Sequence, residues 1–337
     1  IAQRFENVGA HFGTGTSRDM AWLSLRTLTR EAWFDKAIET MQVILTDPKF
    51  NQADFEREKN RTLAGLKHRE ELPGKIAAIA YYKAIFGDHP YAHPISGFIE
   101  TVSPFTAKDV EAFYKKHYVA ANAIVVLVGD ISRKQAEQTA ERLLAGLPDG
   151  EKPAELPPVR MPEKGMLEQI QFPSQQTHVL SGVPGTKRKD PDYFPLYVGN
   201  HILGGSGLVS ELFKEVRDKR GLAYSAHSYF SPMLRKGPFT MGLQTRNDEA
   251  QNSIKVMVDT LTNFVKNGPT DEQLTAAKKN ITGGFVLRFD TNSKLTSYVA
   301  MIGYYQLPLD YLETFPPKVE AVTADEIKEL EEKIKNK

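Results

Sequence analysis

NHILGGSGLVSELFKEVRDKRGLAYSAHSYF, residues 200–230, decides how the rest of this chain is read. A glycine-rich turn leads into an amphipathic helix with apolar Leu208, Leu212, Phe213 and Val216, then a glycine stop at Gly221 and an alternating strand. Arg217 stands at the end of the helix and Tyr224 near the start of the strand, seven residues on. A guanidinium and a phenol at one helix-to-strand corner are donors suited to a peptide carbonyl or its oxyanion. The same residues also have a plain structural account. Arg217, Lys219 and Arg220 complement the helix dipole, and Tyr224 packs in the sheet. Residue chemistry alone leaves both open.

Around this corner the pattern is α+β. Residues 167–172 and 178–182 alternate as strands, and residues 193–203 and 206–219 are helical. Strands over 222–230 and 239–243 form a hairpin closed by PMLRKGP. Residues 248–267 carry Ile254, Met257, Val258, Leu261 and Phe264 at helical spacing. Two more helices start at Asp271 and Thr323, each with a polar cap and an acidic first turn.

The run LPDGEKPAELPPVRMPEKG, residues 147–165, is rich in proline and charge, has no periodicity, and reads as a linker. It separates a first half, 1–146, from a second, 166–337, and the halves repeat each other. TREAWFDKAIETM from Thr29 aligns with TRNDEAQNSIKVM from Thr245. FNQADFEREKNRTLAGLKHRE from Phe50 follows the rhythm of PTDEQLTAAKKNITGGFVLRF from Pro269, and VSPFTAKDVEAFYKKHY from Val102 recurs as VEAVTADEIKELEEKIK from Val319. An offset of about 215 to 220 residues is too long for a solenoid and implies a duplicated α+β domain. In the first half residues 123–128 read as a buried strand. Ile1, Phe5 and Val8 are already at helical spacing, so the sequence starts mid-pattern and reads as the continuation of an upstream segment.

Composition bounds the function. A net charge of +1 gives no reason to expect nucleic acid or a membrane surface as the main partner, and no window is apolar for long enough to span a bilayer. The chain has no cysteine, which excludes disulfides, thiolate zinc sites and cysteine nucleophiles. None of its eight histidines lies in H-x-x-E-H or H-E-x-x-H. In His68-Arg-Glu-Glu-Leu72 leucine stands where a second histidine would be needed, and His89 and His93 are separated by a proline that argues for a loop. Gly204-Gly205-Ser206-Gly207 before a helix lacks G-K-[ST] and a full G-x-G-x-x-G, so it reads as a flexible turn rather than a phosphate cradle. No G-x-S-x-G elbow is present.

The segment LGGSGLVSELFKEVRDKRGLAYSAHSYF resembles the signature of the C-terminal half-domain of the pitrilysin/insulinase family of zinc metallopeptidases, which includes mitochondrial processing peptidase and two-component bacterial enzymes. VGAHFGTGTSRD, FGDHPYAHPISG, FTAKDVEAFYKKHY and VVLVGDIS resemble its N-terminal half-domain, so the likeness covers nearly the whole chain. The resemblance implies two homologous half-domains, each an antiparallel-rich sheet packed with helices, the first lacking its N-terminal elements. It implies that Arg217 and Tyr224 bind substrate near the scissile bond, with Gly204, Gly205 and Gly207 helping to hold the peptide. The family's H-x-x-E-H helix would lie upstream of Ile1. Its third zinc ligand, seven residues after a glutamate matched by Glu58, falls on Gly65, which has no side chain to offer.

The resemblance therefore implies a non-catalytic, substrate-binding subunit with no cofactor of its own. Its expected partner is a homologous zinc-bearing subunit. Two alternatives are a fragment of an active zinc peptidase and a structural subunit like those in respiratory complexes. The bacterial two-component relatives imply a periplasmic address, which nothing in the composition favours over the cytoplasm.

Overall fold

The structure is a computed structural model and describes residues 1–335. Asn336 and Lys337, the end of the expected second half, lie outside the described residues. The fold is α+β, and the chain packs as two units. The first comprises Ile1–Lys67, Ile95–Glu155 and Leu287–Gln306; the second comprises His68–Pro94, Leu156–Val286 and the residues from Leu307 on.

In the first unit, β1 (His11–Thr16) and β2 (Ala21–Arg26) form an antiparallel hairpin. The short helix Ala2–Glu6 and the helix Glu31–Thr46 close a small core around Phe5, Val8, Ala10 and Ala37, with Phe5 stacked on Phe12 at 5.0 Å. The turn between β1 and β2 is tied to the helix Asn292–Tyr304. Tyr304 donates to the backbone carbonyl of Asp19, and the Tyr305 hydroxyl donates to Asp19 Oδ2 at 2.9 Å. Burial, aided by the nearby Asp19 carboxylate, pushes the Tyr304 phenol up to about 12.

Residues 123–128, expected as a buried strand, lie outside any described strand. Ile124 is exposed and Val125 to Val128 are only half-buried. Apolar β-branched residues favour extended backbone, but a strand forms only where a neighbour takes up its amide and carbonyl groups. Residues 167–172 depart from expectation for the same reason.

The second unit holds a three-stranded antiparallel sheet of β3 (Gln176–Pro184), β4 (Ala223–Phe230) and β5 (Pro238–Arg246), in the order β3-β5-β4. One face of the sheet buries Phe239, Met241, Leu243, Ala226 and Ser228. The helix Ala250–Asn267 packs there through Val256, Met257, Thr260, Phe264 and Val265. Val258, expected on the apolar stripe, is exposed instead. The three repeat pairs read from the sequence are helices at both places: Glu31–Thr46 and Ala250–Asn267, Gln52–Arg69 and Asp271–Gly283, Ala107–His117 and Ala324–Lys335.

The opposite sheet face is partly covered by the helix Pro73–Phe86. Its Tyr81 hydroxyl donates to the Phe239 carbonyl at 2.7 Å and shares a hydrogen bond with Thr240 Oγ1 at 3.0 Å. Burial pushes this phenol well above its ordinary pKa. Gly182 makes room for it, since a Cβ there would come within 2.4 Å of the Tyr81 oxygen and 1.9 Å of the Phe239 carbonyl oxygen. Around Tyr81 gather Ile85, Phe86, Tyr91 and Met233, together with Leu156 and Val159 from the proline-rich run. That run is bound from Leu156 onward: Arg235 Nε donates to the Leu156 carbonyl at 2.6 Å and His89 Nε2 meets the Pro157 carbonyl at 3.0 Å.

Replacing Tyr81 by Phe removes a buried donor and keeps the ring. The variant is expected to lose about 1–2 kcal/mol, seen as a lower urea midpoint with an unchanged denaturant slope.

Candidate functional site

Arg217 and Tyr224 do meet. The Arg217 guanidinium carbon lies 4.8 Å from the Tyr224 ring centroid and 4.7 Å from that of Phe213, so the cation is held against two aromatic rings. Phe213 is buried, whereas Tyr224 is 83% exposed. Phe213 sits four residues before Arg217, one turn back on the same face, and gives the guanidinium a fixed apolar support. No carboxylate among the described residues pairs with Arg217. The neighbouring cations are taken up separately: Glu215 bonds Lys219 Nζ at 2.5 Å and Arg220 Nη1 at 2.6 Å. The Lys219 and then the Arg220 hydrogen bonds hold the Glu215 carboxyl below its usual range. Glu215 thus takes up Lys219 and Arg220 and leaves Arg217 on its two rings.

Two one-residue irregularities make this corner. The expected continuous helix over 206–219 is broken at Gly207, whose φ is +63°. A short turn Gly207–Val209 follows, and Ser210 then caps a new start, accepting the Phe213 amide. The last turn is wide. The Lys219 amide reaches back five residues to Lys214, and the Gly221 and Leu222 amides bond Arg217 and Val216, each one residue further back than in the usual glycine-terminated helix end. Next comes a bulge in β4, where Ala223 pairs with Thr245 but Ala226 pairs with Leu243. Three steps on β4 against two on β5 put both Tyr224 and Ser225 on the exposed side. The signal was present in the sequence: the small residues Ala223, Ala226 and Ser228 are spaced three, then two.

The glycines occupy a different part of the unit. Gly204 and Gly205 end a wide turn, 201–205, that continues the helix Tyr193–Asn200, rather than a loose loop. A Cβ on Gly204 would lie 2.4 Å from the Ser228 amide nitrogen, so the helix end rides directly on β4. Asn200 fastens it: its Nδ2 donates to the Ser228 carbonyl at 3.2 Å, and Ser228 Oγ donates to Asn200 Oδ1 at 2.7 Å. Gly204, Gly205 and Gly207 line a half-open cleft of about 420 Å³ between this helix and β4. Sequence reading missed the cleft, the Asn200–Ser228 pair and the role of Phe213. The helical spacing of Tyr193, Tyr197 and Asn200 was the available signal for the cleft wall.

His227 lies at the cleft rim, stacked along Tyr229 at 5.9 Å and across Gly242. Partial loss of water around the ring lowers its pKa.

In the first half, residues 1–146, the candidate ligands are otherwise engaged. Glu58 is paired with Arg57 at 3.5 Å and Arg61 at 3.3 Å, and Gly65, two turns on along the helix Gln52–Arg69, faces open space. His89 uses both ring nitrogens, accepting the Tyr91 amide at Nδ1 and donating from Nε2 to Pro157. His68 meets Glu71 at an exposed helix end. Among the described residues no three His, Asp or Glu side chains stand together to hold an ion. A catalytic zinc needs about three protein ligands, a set that the described residues do not bring together.

Three expectations follow. Gly204→Ala should cost about 1–3 kcal/mol in urea unfolding because the methyl strikes backbone, whereas Gly65→Ala should gain about 0.5–1 kcal/mol. Lowered pKa at His227 means the unfolded chain binds more protons between the lowered value and the ordinary value of about 6.5. Stability is then complete above about pH 6.5 and falls as pH drops below it, so His227→Gln should lose less of its urea midpoint between about pH 7.5 and 5 than the parent.

The chain matches known proteins along most of its length. The family description "Insulinase (Peptidase family M16)" matches residues 1–97, and "Peptidase M16 inactive domain" matches residues 104–281. A crystal structure of a peptidase M16 inactive domain from Pseudomonas fluorescens is 37% identical with a TM-score of 0.95, over 99% of this chain and 79% of that one. A Streptomyces coelicolor protein called an uncharacterized zinc protease is 27% identical over 89% of this chain, which spans 66% of its length. A Rickettsia felis protein of the same description is 26% identical over 93% of this chain and 76% of its own.

Proposed function

The chain belongs to peptidase family M16, and we propose that within it this chain is the non-catalytic, substrate-binding subunit of a two-subunit zinc metallopeptidase. The observation that carries the reading is the Arg217 guanidinium, braced by Phe213 and Tyr224 and lacking a carboxylate partner among the described residues. Such a cation, with an exposed phenol beside it, binds a peptide carbonyl and stabilises negative charge developing on its oxygen. Gly65 has no side chain to offer a metal, which supports the part of the proposal that gives the metal and the water of hydrolysis to a second, homologous subunit. This chain's part is to orient the peptide. Arg217 and Tyr224 hold the carbonyl, and the glycine-lined cleft takes a neighbouring stretch. The periplasmic address belongs to the same proposal.

A second reading rests on the relatives. Proteins called zinc proteases, longer than this chain, match it over most of its length, which favours a portion of an enzyme that binds its own zinc elsewhere.

The test is to purify the full chain alone and with the M16 subunit that co-purifies with it, and to assay a long unstructured peptide. The complex is expected to hydrolyse it, and Arg217→Ala to lower kcat/KM about a hundredfold or more. Unchanged rates in that variant overturn the proposal. Hydrolysis by the chain alone with stoichiometric zinc favours the second reading instead.

A further inference from the structure

The cleft beside the glycines has a chemistry of its own. One wall is the helix Tyr193–Asn200, which presents Tyr193 and Tyr197 one turn apart with their rings stacked at 5.8 Å. The other wall is β4, which contributes Tyr229 and Phe230. The polar groups deepest between them, Asn200 and Ser228, are already satisfied by each other. The ionisable lining consists of Arg188, His227 and the tyrosines, with no carboxylate among the residues that form it. Its volume of about 420 Å³ is ample for one large side chain and falls within the range of small-ligand sites.

We propose that this cleft is a specificity pocket for one large apolar side chain, aromatic above all, of the peptide held at Arg217 and Tyr224, and that it rejects lysine and arginine. The proposal rests on the reading of Arg217 and Tyr224 as a peptide-binding pair. Four aromatic rings supply stacking and edge contacts and remove water from an apolar guest. A cationic side chain would meet the Arg188 guanidinium and find no carboxylate in the lining to pair with, which disfavours it. Position follows from β4. Tyr224 and Tyr229 are five residues apart on the one strand, and because the bulge takes up one of them the span is roughly 13 Å at about 3.3 Å per residue. An extended peptide covers that span in about four residues. The selected side chain is therefore about three to five positions from the carbonyl held by Arg217.

Binding of a scanned peptide to the full chain tests this. Unstructured Gly/Ser/Thr peptides carrying a single Phe, Ala or Lys are titrated by calorimetry. The Phe peptide is expected to bind about tenfold tighter than the Ala peptide, and the Lys peptide no better than Ala. Tyr229→Ala, at a partly exposed wall position, should erase the Phe preference, and Tyr229→Phe should keep it. Equal affinity for Phe and Ala peptides overturns the pocket. If Arg217→Ala still weakens both peptides, the peptide-binding pair stands without it. A Phe preference that Tyr229→Ala erases while Arg217→Ala changes nothing supports the pocket and overturns the pair. No binding of any peptide overturns both. Equal affinity for free phenylalanine amide and the Phe peptide also overturns the proposal, because the chain would then contribute nothing.

Discussion

The contact between a helix end and β4 governs the second unit. Gly204 brings backbone onto the Ser228 amide at a distance no side chain tolerates, and Asn200 locks that approach with two hydrogen bonds to one residue. Everything of functional interest hangs from it. The cleft exists because the helix Tyr193–Asn200 is held at this height over the strand. The chain then leaves Gly205, turns at Gly207 and re-enters a helix that must reach β4 again at Ala223. Fixed at both ends, the segment delivers Arg217 and Tyr224 to one corner.

Sequence exposed the framework because the framework is periodic. The helix from Ala250, the caps at Thr270 and Thr323 and the strands β3, β4 and β5 all follow from spacing and turn residues. What sequence hid was aperiodic. The wide turn at Lys214–Asp218 and the bulge at Ala223/Ala226 each add one residue to a regular element, and a reading built on 3.6 and 2 absorbs such residues without notice. Residues 123–128 and 167–172 were misjudged for the opposite reason. Their composition is that of strands, but a strand is a property of two chains and composition describes one.

The corner also separates two kinds of positive charge that look alike in sequence. Arg217, Lys219 and Arg220 are equivalent as helix-end cations until Glu215 is placed beside two of them. The third rests on rings, which hold it without satisfying its donors. In the first half Gly65 is an open helical position, with nothing close by that needed a glycine there.

The Asn200–Ser228 pair has one more consequence, for how the protein behaves among its copies. β4 is the last strand of its sheet, and an uncovered last strand is a template on which another chain can add. At Ser228 the outward carbonyl is already occupied by a side-chain amide from the same molecule, with helix backbone pressed over the amide nitrogen. The lock that shapes the cleft is thus also a stopper against edge-to-edge aggregation. An extended guest beside β4 must be recognised by its side chains at that point, not by continuing the ladder.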